Sequence, residues 1–491
     1  MSMNKAFNIR LIFRFFGVLL LVETFALLLA ALVALVYQEQ DGYYFLVTAG
    51  LSFCFGLLGI LVGLKASPVI GNREGSLLVT LIWIIFSLFG LMPFWISGSI
   101  PSFTDAFFET ISGFTTTGAS ILNNIEELSY SMLFWRSLTH WIGGLGIIVM
   151  SLALLPVFGV SGAQLFAAES AGPTKDKIHP RIVETAKRLF LIYISLTLIE
   201  SILLKLGGMN WFDAVCQSFG TVATGGFSTK QDSIGYWDSP YIQYVVAFFM
   251  LLSGINFSLY YFGFKSKFNK IFENEELKYY LIALFSFSII VTFSLFDFSS
   301  AFSFQRLEGA WREAFFNVTA VITTTGFATA DYMNWKTFTW ILLLIAMITG
   351  ASAGSTSGAI KMVRIVIVVK YCYYEFKRII HPNAVVPVRY NGHLVKEDVI
   401  TKILAFVMLY LITIAFGVLV LTASRMPFQE SIGGLITCLG GVGPGLGQVG
   451  PAGNFSAIPE FSKWFLSFIM LLGRLELFTV LVLFTPAFWK K

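Results

Sequence analysis

Apolar residues along this chain come in long runs. Runs of about twenty residues, enough to cross a lipid bilayer, recur at 11–36, 43–64, 76–98, 131–157, 188–206, 240–264, 279–297, 336–369, 399–423 and 462–488. The pattern predicts ten transmembrane helices. The first run follows Lys5, Arg10 and Arg14 and so has the flank of a secretory signal. At about 26 residues it is longer than a signal core, lacks a small-x-small cleavage site and leads into a second span, so it reads as a membrane helix. Between certain spans lie shorter apolar segments of about 12 to 15 residues, too short to cross, each ending in a stretch rich in glycine or threonine.

Those short segments repeat. They run from Asp105 to Gly118, Asp213 to Gly226, Glu313 to Gly326 and Glu430 to Gly443, and in each an acid precedes the final glycine by 13 residues and is followed by a small residue. The four copies are separated by 108, 100 and 117 residues, and two long spans flank each. The repeating unit is therefore span, short re-entrant helix, turn, span. The implied boundaries are a two-helix extension over 1–70 and repeats over 71–160, 161–265, 266–395 and 396–491. The predicted fold is an all-α polytopic membrane protein, with ten spans and four re-entrant helices around one axis.

Composition agrees with a membrane protein. The chain is 56% hydrophobic and 12% charged, about half the charge of a soluble domain, which excludes an ordinary soluble enzyme. Cys54, Cys216, Cys372 and Cys438 are isolated and suggest neither a zinc site nor a disulfide framework. Most of the 33 lysines and arginines fall on alternate loops, which puts both termini in the cytoplasm, so the net charge of +5 reports topology rather than nucleic-acid binding. The basic stretch from Lys361 to Lys402, with Lys377, Arg378 and Arg389, is expected to dock a soluble partner as well.

Non-helical backbone at membrane depth must line a cavity or be covered by protein. Glycine allows positive φ and leaves a lumen open, while threonine adds a hydroxyl oxygen beside its carbonyl. Four turns around one axis would make rings of oxygen dipoles able to replace the water shell of an alkali cation. The candidate ligands are Thr115, Thr116, Thr117 and Gly118; Ala223, Thr224, Gly225 and Gly226; Thr323, Thr324, Thr325 and Gly326; and Gly440, Gly441, Val442 and Gly443. The acids are expected in the first turn of each short helix, with Ser102 and Asn210 as caps. Gly445-Leu-Gly447-Gln-Val-Gly450 matches G-x-G-x-x-G but follows a short helix, which excludes a dinucleotide site.

Two further features carry candidate function. Gly350, Gly354, Ser355, Thr356, Ser357 and Gly358 interrupt the eighth span and should break it into an intramembrane loop. Arg474 lies in the last span near Glu476, and a charge there needs a polar cavity or a partner. It is either a positive plug in a permeation path or half of a buried pair with Glu476 or a short-helix acid. Arg136 and His140 read as packing or interfacial residues.

The Thr-Thr-Thr-Gly118, Ala-Thr-Gly-Gly226-Phe, Thr-Thr-Thr-Gly326-Phe and Gly-Val-Gly443-Pro-Gly-Leu-Gly turns, with Gly350 to Gly358 and Gly473-Arg-Leu-Glu476, resemble the TrkH/TrkG/KtrB superfamily of potassium-translocating membrane subunits, and its TrkH branch most closely. The resemblance covers the whole chain. It implies a bacterial plasma-membrane protein with K+ as the permeant ion and no organic cofactor. It also implies a homodimer gated by cytosolic TrkA-like nucleotide-binding subunits, and an intramembrane loop that obstructs the pore below the filter. The second and fourth turns depart from the triple threonine, so the filter walls are chemically unequal.

The favoured function is channel-like potassium uptake, with Rb+ as a second permeant ion. The alternative is a secondary transporter coupling K+ to H+ or Na+, which should carry ionisable residues at the midplane and a two-half repeat. The sequence shows four repeats and essentially one deep charge. No metal cluster, nucleophile and base pair, or phosphate loop supports an enzyme.

Overall fold

The computed structural model describes residues 8–66, 71–154, 182–297, 299, 303–384 and 386–489. The boundary expected between the first two repeats lies outside the described residues. The first apolar run forms the 28-residue helix Ile9–Val36, started by the Asn8 side chain accepting from the Leu11 N–H. It packs along Gly42–Gly63 through glycines. A Cβ built on Gly17 would lie 2.5 Å from the Gly56 carbonyl oxygen, and one on Gly63 2.3 Å from the Arg14 Cβ. In a lipid environment such close backbone approach supplies the packing that water-driven burial supplies elsewhere.

Four units of outer helix, short helix, turn and inner helix follow. Their outer helices are Asn72–Gly90, Ile182–Leu206, Glu275–Leu295 and Glu397–Ala423. The short helices are Phe103–Phe114, Trp211–Val222, Phe304–Ile322 and Phe428–Gly440. Ser102 and Asn210 cap the first two, accepting from the Asp105 and Asp213 N–H groups at 3.3 and 2.7 Å. The third departs from expectation. It begins at Phe304, so Glu313 sits in mid-helix, where it accepts from Trp335 Nε1 at 3.0 Å instead of complementing a helix start.

Every inner helix is broken. Tyr130–Leu154 kinks at Gly146 (φ 62, ψ 156), Pro240–Ser253 bends 94° into Phe257–Phe264, Thr337–Thr349 stops at Gly350 and resumes as Met362–Ile380, and Glu460–Leu475 bends 116° at Glu476. Among the described residues six helices are long and apolar enough to cross unbroken, or eight when the two bent pairs each count as one span. The predicted span at 131–157, as far as Leu154, and that at 336–369 are thus interrupted helices, while 155–157 lies outside the described residues. Outer helices expose Phe293, Leu419 and their neighbours, while the short helices carry Ser112, Thr221, Thr319 and Thr437 fully buried. The polar short helices are the centre and the apolar long helices the shell, as a bilayer solvent requires.

Candidate functional site

The four short helices end in turns of one geometry. Two residues before each glycine the chain enters positive φ, at Thr116 (53°), Thr224 (53°), Thr324 (58°) and Gly441 (70°). It does so again at Gly118 (81°), Gly226 (83°), Gly326 (78°) and Gly443 (101°). A β-branched residue at positive φ costs about 1–3 kcal/mol and persists only where its surroundings impose it. Three threonines hold it here, so the fold enforces the turn.

The turns meet in a closed ring. A Cβ on Gly118 would lie 2.1 Å from the Gly225 carbonyl oxygen, one on Gly226 2.1 Å from that of Thr325, one on Gly326 1.7 Å from that of Val442, and one on Gly443 2.8 Å from that of Thr117. Each glycine abuts the carbonyl just before the next repeat's glycine, and the fourth returns to the first. All four glycines line one cavity, together with residues of every turn. Main-chain oxygens dominate the ring. The Thr115 and Thr323 hydroxyls turn back to the Ile111 and Thr319 carbonyls at 2.7 Å, and each also bonds the threonine two residues on, at 2.9 and 2.8 Å. The first residue of each predicted quartet therefore closes its helix, and the expected lining of threonine hydroxyls is reduced in those two walls.

Beneath the ring lies the segment from Gly350 to Lys361. The Gly358 N–H donates to Thr324 Oγ1 at 2.7 Å, and Thr356 Oγ1 donates to the Val222 carbonyl at 3.1 Å. A Cβ on Gly358 would lie 2.2 Å from the Gly440 carbonyl. The loop thus touches the ends of the second, third and fourth short helices. Arg474 completes the circuit, with Nη1 donating to the Thr356 carbonyl at 3.1 Å and Nη2 to that of Gly143, whose own Cα packs against the end of the first short helix at Phe114. Arg474 and Ser355 to Gly358 line a second cavity below the ring.

Glu476 pairs with Arg364 rather than with Arg474, both oxygens lying 2.9 Å from Arg364 Nη2, and Arg364 also lies over the Phe406 ring at 3.9 Å. The short-helix acids are engaged elsewhere, Asp105 with Lys463 at 2.6 Å and Asp213 with Thr229 at 2.7 Å. Of the two roles expected for Arg136 and His140, the burial of both selects packing. Arg136 is buried against Glu109 at 2.6 Å, and His140 packs behind Gly225 while its Nδ1 meets the Gly113 carbonyl at 2.7 Å. The count of one deep charge is also revised, because Glu23 and Glu200 are buried within long helices. Neither lines the two cavities on the axis. Among the described residues no group of three or more His, Cys, Asp or Glu could hold a metal ion.

The family model described as a cation transport protein, TrkH, matches residues 53–491. The Trk system potassium uptake protein TrkH of Escherichia coli K12 is 38% identical over 487 residues, covering 99% of this chain and all of that protein. The uptake protein TrkG of the same organism is 33% identical over 486 residues, covering 98% of this chain and 99% of that one. The crystal structure of the potassium transporter TrkH from Vibrio parahaemolyticus superposes with a TM-score of 0.87 at 34% identity, covering 99% of this chain and all of that one.

Proposed function

The chain belongs to the TrkH family of cation transport proteins, and from that premise we propose that it is a potassium uptake subunit conducting K+, and Rb+ beside it, through the ring of four turns. The observation that carries this reading is the cyclic approach of each glycine to its neighbour's carbonyl. It brings four sets of main-chain oxygens to one axis, where they replace hydration water. The short helices end at the ring, so the negative ends of their dipoles favour a cation.

The filter ligands are residues 115–118, 223–226, 323–326 and 440–443. Gly350 to Gly358 is the gate and Arg474 its positive plug, because the loop spans the ends of the second, third and fourth short helices and Arg474 ties it to the first repeat. The protein resides in the bacterial inner membrane with both termini cytoplasmic. It forms a homodimer, and a TrkA-like nucleotide-binding regulator docks on the basic segment between Lys361 and Lys402. Full-length protein in a planar bilayer tests the permeation reading. Ohmic Rb+ or K+ current with no second ion gradient is expected, and uptake that requires a proton or sodium gradient would replace the channel with a coupled transporter.

A further inference from the structure

Outside the carbonyl ring a second circuit runs round the axis. Two residues beyond each turn glycine stands a carbonyl, and in every repeat the preceding repeat supplies its donor. The Ser120 carbonyl accepts from the Phe455 N–H at 2.8 Å, and that of Ser228 from Arg136 Nη1 at 2.9 Å. The Ala328 carbonyl accepts from the Gly235 N–H at 3.1 Å, and that of Gly445 from the Tyr332 hydroxyl at 2.8 Å. The bonds run from the fourth repeat to the first, then first to second, second to third and third to fourth.

The same stretch is held radially as well. Four residues after each repeat acid stand Glu109, Gln217, Asn317 and Gly434. Glu109 accepts from the Ser120 hydroxyl at 3.0 Å and the Ile121 N–H at 2.9 Å, Gln217 donates to Ser228 Oγ at 2.7 Å, and Asn317 donates to Thr329 Oγ1 at 3.1 Å. In the fourth repeat the glycine at 434 stands beside Gly433, where a Cβ would lie 2.3 Å from the Leu446 nitrogen, so backbone rests directly on the helix.

Three donors of the circuit are uncharged and one is a guanidinium. Arg136 is 3% exposed and Glu109 1%, and their Nε to Oε1 distance is 2.6 Å. A buried charge is retained at a cost unless its partner and geometry are good. Here Arg136 uses its fork twice, one nitrogen on Glu109 of its own repeat and another on the next repeat's backbone, with the Phe227 ring 3.5 Å below. A lysine ammonium cannot reproduce that planar double contact.

We infer that this circuit is a hoop that fixes the circumference of the carbonyl ring, and that Arg136 and Tyr332 are positioning residues for ion selectivity. Sodium is smaller than potassium, so a ring free to contract would close on it, and four cross-repeat bonds of fixed length, each held to its short helix by the side chains or backbone behind it, resist that contraction. The inference rests on the turn ring being the filter.

The test compares Rb+ with Na+ uptake into vesicles holding full-length protein. Tyr332→Phe removes one hydroxyl and nothing else, Arg136→Lys keeps the charge opposite Glu109, and Ser288→Ala removes a buried bond within an outer helix, to the Leu284 carbonyl, as a control for destabilisation. Tyr332→Phe and Arg136→Lys should each lower the Rb+ to Na+ uptake ratio by about tenfold, the equivalent of one hydrogen bond, while Ser288→Ala leaves it at the parent value. If Arg136→Lys does not fold, Tyr332→Phe still decides. An unchanged ratio in folded Tyr332→Phe, alongside a reduced ratio in Gly226→Ser, overturns the hoop alone. An unchanged ratio in Gly226→Ser as well overturns the filter reading beneath it.

Discussion

At the scale of the residue, the ring sets an order of severity that the sequence does not contain. All four turn glycines have positive φ, so any side chain costs about 1–3 kcal/mol of backbone strain. The clash beyond that differs, since a Cβ at Gly326 would lie 1.7 Å from a neighbouring carbonyl oxygen and one at Gly443 2.8 Å. Gly326→Ala should therefore reduce potassium uptake most, by more than about a hundredfold, and Gly443→Ala least, by about tenfold. Growth and uptake kinetics in a strain lacking other potassium uptake measure this, and equal defects at the two positions would contradict the geometry. Other residue roles were less legible. Arg136 reads only as a packing or interfacial residue because its partner Glu109 lies 27 residues away on another element, and no periodicity links them. The pairing of Glu476 with Arg364 spans 112 residues and was equally hidden, whereas Ser102 and Asn210 are caps because capping is local.

At the scale of the element, the short helices and the broken span were readable because each depends on glycine at a fixed place, where nothing else gives the backbone conformation. The breaks in the second and fourth inner helices were not, since neither corner is marked by a glycine at positive φ. Gly254 (φ −76), Ile255 and Asn256 make one, where Gly254 serves close packing against Tyr280 rather than a left-handed turn, and Glu476 (φ 63) makes the other. The third short helix outran its prediction because the polar residues after Phe304 continue the helix instead of capping it. The loop from Gly350 to Lys361 has defined anchors. Glu276 Oε1 accepts from the Ala353 N–H at 2.6 Å and the Val363 N–H at 3.2 Å, and the Ser352 N–H donates to the Gly254 carbonyl at 3.0 Å. Deleting Gly354 to Gly358 removes the stretch that touches the short helices while leaving the Ala353 and Val363 clamps. Basal Rb+ flux into regulator-free vesicles should rise, on the order of tenfold or more, as the open population is favoured. Arg474→Ala should raise it too, by deleting a repulsion poorly screened in a low-dielectric passage. Early melting without added flux in both variants would assign the segment a structural role.

At the scale of the whole molecule, the expected docking surface is defined by the partners of its basic side chains. The segment from Lys361 to Lys402 combines a buried start, at Met362 to Arg364, with an exposed end. Lys370 bonds Glu275 and the Arg389 carbonyl, Arg378 bonds Glu375 and the Val386 carbonyl, and Lys377 lies 4.9 Å from the Tyr373 ring centroid. Lys370 and Arg378 are thereby paired with acids, while Lys377 and Arg389 stay exposed and give the surface its basic character. Reversing Lys377, Arg378 and Arg389 together should reduce regulator co-purification several-fold at low salt and flatten its salt dependence. Equal recovery from mutant and parent at both salt concentrations would leave the surface as topology alone. The ring has another consequence, for biosynthesis. Its last side is laid by residues near the C-terminal end, where Gly443 meets Thr117 and the Phe455 N–H reaches Ser120. Until that quarter is inserted the earlier three repeats lack their closing contacts, so a pore built on this ring would open no leak while the chain is still on the ribosome.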